Sequence, residues 1–69
     1  MTTMNKEFVD GVERELVSIV MRLVSTMEEV KASQIAKEII VLIDWNNSAL
    51  MHKGLSWIAK NYLLQKNMI

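Results

Sequence analysis

No cysteine and no proline occur in this chain, and glycine occurs only twice. Without cysteine there is neither a disulfide framework nor a thiolate zinc site, and a single histidine excludes a His cluster. The same lack fits a reducing compartment. Without proline, no position forces a helix to break. Long apolar runs are missing too. The longest aliphatic run, Ile39-Ile40-Val41-Leu42-Ile43, is closed by Glu38 and Asp44, whereas a bilayer span takes about 20 predominantly apolar residues. The first residues carry no apolar stretch behind a basic one, so no signal peptide is read there. These absences lead to the expectation of a cytoplasmic protein with no membrane partner.

What is present is apolar side chain in very little length: 51% of 69 residues are hydrophobic. The chain reads as one helical domain, residues 1–69. A domain of about 60 residues buries only about 60% of its unfolded surface, so its core is marginal. Disulfides and metals being excluded, oligomerisation is the remaining staple. A homodimer is expected, and the apolar excess supplies its surface.

Net charge is zero but unevenly spread. Residues 1–30 hold Lys6, Arg14 and Arg22 against Glu7, Asp10, Glu13, Glu15, Glu28 and Glu29, which is 3 minus 6, or −3. Residues 31–69 hold Lys31, Lys37, Lys53, Lys60 and Lys66 against Glu38 and Asp44, which is 5 minus 2, or +3. The two halves either complement each other between copies or form solvated helix faces. The overall basic excess of a typical nucleic-acid binder is missing.

Apolar periodicity predicts an all-α, three-helix protomer with helices over about residues 5–28, 33–44 and 48–65. In the first helix Leu16, Ile19, Val20, Leu23, Val24 and Met27 form the main stripe, extended by Phe8 and Val12. Thr3 or Asn5 is the expected cap. Val9, Val17 and Met21 widen the stripe beyond what one partner helix needs. Gly11 marks either a later helix start or a close backbone approach. The second helix is capped by Ser33 and carries Ile35, Ile39, Leu42 and Ile43, with Val30 to Ala32 as the link. Its aliphatic run would also suit a strand, but no second strand candidate exists to pair with it. The third follows the polar cluster Asn46-Asn47-Ser48 and repeats Leu50, Met51, Leu55, Ile58, Ala59, Tyr62 and Leu63, with Trp57 and Leu64 beside them. Gly54 within it is read as a site of close helix approach, and Lys66 to Ile69 as a fraying tail.

Little in the sequence carries chemistry. His52 has no nucleophile or carboxylate partner in view. Glu28 and Glu29 are adjacent and do not share a helix face, so they are read as charge at the exit of the first helix. No phosphate loop, nucleophile motif or metal motif appears, and no enzyme, cofactor or metal is expected. The apolar bands of the first and third helices give the expected homodimer interface: Val9, Val17, Met21 and Trp57. Trp45 is expected to close one end of the core. The rival reading is a dimeric DNA-binding regulator. Lys31 to Ile39 has the look of the first helix of a helix-turn-helix, and Lys53 and Lys60 would contact phosphates. Against it, the third helix opens with Ser48-Ala49-Leu50-Met51 rather than base-reading side chains. A third reading is a phage- or plasmid-encoded inhibitor of a host protein.

The succession Glu15-Leu16-Val17-Ser18-Ile19-Val20, then Val30, Ile35, Ile39 and Ile43, then Leu50, Leu55, Ile58 and Leu63-Leu64 resembles the YmgB/AriR family. These are small enterobacterial biofilm-development and acid-resistance regulators, also described as two-component-system connectors. The resemblance covers about residues 13–65 and rests on hydrophobic spacing. It implies a dimerising three-helix protomer that regulates by contacting a response regulator or its phosphorelay, with some members linked to DNA. It brings no catalytic residues.

Overall fold

The computed structural model describes residues 6–69, and over these the chain is three α-helices without a strand. They are α1, Lys6–Leu23; α2, Glu29–Leu42; and α3, Ser48–Gln65. The expected caps at Thr3 and Asn5 lie outside the described residues. The aliphatic run is helical through Leu42, in agreement with the helix reading.

The junction between α1 and α2 differs from expectation. Helix α1 stops at Leu23, and Val24-Ser25-Thr26 form a turn closed by the Met27 N–H donating to the Val24 carbonyl at 3.0 Å. Two adjoining residues with competing hydroxyls favour the turn over a further helical one, and Met27 folds back onto the core. Helix α2 begins at Glu29, four residues before Ser33, because Ala32 is a fully buried core residue and belongs to the helix. Ser33 is therefore no cap; its Oγ donates a long 3.5 Å hydrogen bond to Glu13 Oε2 on α1. Glu28 and Glu29 sit at the start of α2, not at the exit of α1. There their charge favours the positive end of the helix.

Among the described residues twelve buried side chains make one core, with Leu16, Val20, Ile35, Ile39 and Leu63 the largest that are fully enclosed. Met21, Met27 and Met51 pack against it, filling its edge as unbranched side chains can. Trp45 is half-buried at one end of this core and meets Phe8 edge-to-face, ring centroids 5.7 Å apart at 68°. Helix α1 packs on both others, most extensively on α2, whereas α2 and α3 scarcely touch. That asymmetry leaves an open cleft between α2 and α3.

Helix α3 begins as expected: Asn47 Oδ1 accepts from the Leu50 N–H at 3.1 Å, a cap worth about 1 kcal/mol. The helix is then broken at Gly54, where φ is 86° and ψ is 166°, a region essentially reserved for glycine. A Cβ there would meet nothing within 4 Å, so the glycine serves a backbone turn and not the expected close approach. The turn has a packing consequence. On an unbroken helix at 100° per residue, Leu50 would point roughly 170° away from the Ala59, Tyr62 and Leu63 face. With the break, Leu50 packs against the core. Gly11 meets neither reading: α1 runs through it, and nothing lies within 4 Å of its Cβ position. The end of α3 does not fray. Asn67 takes a left-handed φ of 59°, the Met68 N–H donates to the Leu63 carbonyl at 2.9 Å and the Asn67 N–H to that of Leu64 at 3.1 Å. This pair of bonds is a Schellman closure with asparagine in the glycine position.

Candidate functional site

The cleft between α2 and α3 is walled by Ile39, Leu42 and Ile43 on one side and by Leu50, Ile58 and Tyr62 on the other, with Asn61 and Gln65 at its rim and a volume of about 190 Å³. It runs into a shallower groove of about 390 Å³ bounded by Lys37, Glu38, Val41, Leu42, Tyr62 and Lys66. Leu42 and Tyr62 belong to both, so the two form one apolar surface. Its lip is unusual for a helix of this size: Leu42 is 68% and Val41 82% exposed. The stripe reading placed Leu42 in the core. It lies outside because α3 leans on α1 and leaves the last turn of α2 uncovered.

Across the groove the Tyr62 hydroxyl donates to Glu38 Oε2, linking α3 to α2 where direct packing is sparse. This hydrogen bond, with burial and the nearby carboxylate adding to it, pushes the Tyr62 pKa from 10.0 up to about 12. All three causes favour the neutral phenol. Because the folded value is raised, this contribution to stability is fully present below pH 10 and is lost as pH rises through about 12. Tyr62 is the only tyrosine, so an absorbance titration at 295 nm reads it alone. We expect a midpoint near 12, and a lower one in Glu38→Gln, where the carboxylate is gone and burial alone still raises it.

A second surface is the outer side of α3. Lys53 Nζ lies 5.1 Å from the centroid of the Trp57 ring, which is 42% exposed. Such a cation–π contact holds the ammonium over the ring face. Lys60 and Leu64, both exposed, follow one and two turns beyond Trp57. Helix α3 contains no Asp or Glu, so nothing on it offsets these lysines.

The residues singled out in the sequence separate into two groups. Lys53 and Trp57 are in contact, with Lys60 beside them on one helix. Val9, Val17 and Met21 on α1 are half-buried, and Val17 and Met21 pack against the chain's own core. His52 is exposed. Among the described residues no group of three His, Cys, Asp or Glu side chains is placed to hold a metal. No described helix is long and apolar enough to cross a membrane. Sequence reasoning missed Val41, Leu42 and the Tyr62–Glu38 link. The one available signal was Val41, which falls off the Ile35–Ile39–Ile43 stripe at helical spacing. Compared with protein-family models, curated proteins and solved structures, the chain matches none.

Proposed function

We propose that this chain is a small non-enzymatic regulatory protein, active as a homodimer in the cytoplasm, that works by binding another protein. The observation that carries the reading is the α2–α3 cleft with Leu42 exposed at its lip. An apolar groove with a few polar groups at its rim suits the apolar face of a partner helix. Its rim lysine, Lys66, suits an acidic residue flanking that face. The family resemblance gives the partner class: a response regulator of a two-component system, contacted by a connector in biofilm or acid-stress control.

DNA binding is the second reading, favoured by Lys53 and Lys60 on a helix with no acidic residue. The exposed Trp57 and Leu64 between and beyond those lysines argue against it, since a duplex backbone offers no apolar surface to cover them. Fluorescence anisotropy separates the two. The double variant Lys53→Glu/Lys60→Glu reverses two charges on an exposed face. If DNA is the partner, it abolishes duplex binding that the parent shows at moderate salt. On the protein-binding reading the parent shows no salt-resistant duplex binding, and the variant keeps its protein partner.

A further inference from the structure

The two most exposed large apolar side chains described are Val41, at 82%, and Val30, at 70%. Both are on α2, with the exposed Gln34 and Lys37 between them. The steps from 30 to 34, 37 and 41 are four, three and four residues, the d-a-d-a spacing of a coiled-coil seam. The row faces away from Ala32, Ile35, Ala36 and Ile39, which the core has already taken. It is therefore a second seam, apolar at both ends and polar in the middle, on a helix whose first seam is in use.

We propose that this seam is where two copies of the chain meet, α2 against α2 and antiparallel. The inference rests on the homodimer reading above and gives it a surface. The spacing is the same read in either direction, so a two-fold axis at the middle of the row sets Val30 against Val41 of the second copy, twice. It also sets the Gln34 amide against Lys37 of the second copy, which gives the ammonium an acceptor. The flanking charges select the same arrangement. Lys31 and Glu38, seven residues apart and exposed, lie along one edge of the seam. Antiparallel pairing brings Lys31 of each copy alongside Glu38 of the other, whereas parallel pairing stacks Lys37 on Lys37. The outer face of α3 lacks this self-complementarity: with Lys53 and Lys60 and no carboxylate, it repels its own copy. An isologous contact requires one patch that complements itself, and the α2 row does so in both apolar and charged positions.

The chain has no cysteine, so introduced thiols are its only ones. Val30→Cys and Val41→Cys are each prepared singly, since both side chains are exposed and neither substitution empties the core. In the proposed register, mixing the two under mild oxidation yields a crosslinked species joining one copy of each. Either variant alone crosslinks far less, because like positions stand about 16 Å apart along the seam, beyond disulfide reach. Sedimentation equilibrium of Val30→Asp/Val41→Asp is expected to give the monomer mass of 8.0 kDa, with helical circular dichroism retained, where the parent gives twice that. Three results overturn the proposal. A parent that is monomeric at every concentration removes this seam and the homodimer reading together. A double variant that stays dimeric removes the seam alone. Single cysteine variants that crosslink to themselves as well as the mixture does place the axis elsewhere.

Discussion

Gly54→Ala is expected to destabilise the protein by about 1–3 kcal/mol, while Gly11→Ala, a substitution of the same type in α1, stabilises it by up to about 1 kcal/mol. The opposite signs follow from backbone geometry. Gly11 is helical and has open space at its Cβ position, so alanine there only removes the entropy that glycine costs a helix. Gly54 has the same open space but holds φ 86°, which alanine resists. Alanine at 54 either endures that strain or straightens α3, and a straight α3 turns Leu50 away from the core. Both routes lose stability. Thermal melts by circular dichroism read the difference, at roughly 4–8 °C for each kcal/mol in a domain of this size. If both alanine variants gain stability, α3 is continuous through residue 54 and the placement of Leu50 is wrong.

Leu16→Ala is expected to cost about 2–5 kcal/mol. Leu16 is fully enclosed, at 0% exposure, within the α1 face that meets the rest of the core. Among the described residues only twelve side chains are buried, so there is little surrounding mass to relax into the cavity. A single core of this size rarely supplies more than about 3–5 kcal/mol of net stability. The variant is then largely unfolded at 25 °C, and a homodimer's melt depends on protein concentration. Urea titration followed at 222 nm checks this. A cooperative transition within about 1 kcal/mol of the parent would mean that the core is assembled around other residues.

How much of this was legible in the sequence follows from which residues decide each feature. The stripe through Val12, Leu16, Ile19 and Val20 is a repeat of local spacing and marked the buried face of α1 without any knowledge of its neighbours, but its ends, Phe8 and Leu23, are exposed because no other helix covers them. The same holds for Ile35 and Ile39 and for Ala59, Tyr62 and Leu63. The start of α3 was legible because Asn47 caps through its own side chain. The start of α2 was not. Ser33 has the chemistry of a cap, and only the burial of Ala32 by α1, a tertiary fact, extends the helix past it. Gly54 was read as a close approach and is a break, for a related reason. A glycine within a helical pattern fits a straight helix, a close approach or a break, and the choice is made by where Leu50 finds partners.

The surfaces were the least legible part. Leu42 is one step along the helix from a core position and looks like core in the pattern. It is exposed only because α3 rests on α1 instead of α2. Val30 read as linker and Val41 as part of an aliphatic run, so the second seam of α2 was hidden until the first was assigned. Trp57 and Lys53 were each picked out, and their spacing of four residues made their contact legible as well. Local periodicity thus gives which faces are apolar, and the packing of three helices decides which of those faces remains uncovered.

If the protein acts by holding another protein in the α2–α3 cleft, a charge at Leu42 breaks that contact. Leu42→Asp changes a side chain that is 68% exposed, so the fold survives it, and the α2 seam at Val30 and Val41 is untouched. The measurement is affinity capture from host lysate after nuclease treatment, parent beside Leu42→Asp, with captured proteins identified by mass spectrometry and their binding re-measured with purified components. The expected result is a nuclease-resistant partner of the response-regulator class that the parent retains and Leu42→Asp loses by at least tenfold in affinity. A partner held equally by both, or material that disappears with nuclease and depends on Lys53 and Lys60, would contradict it.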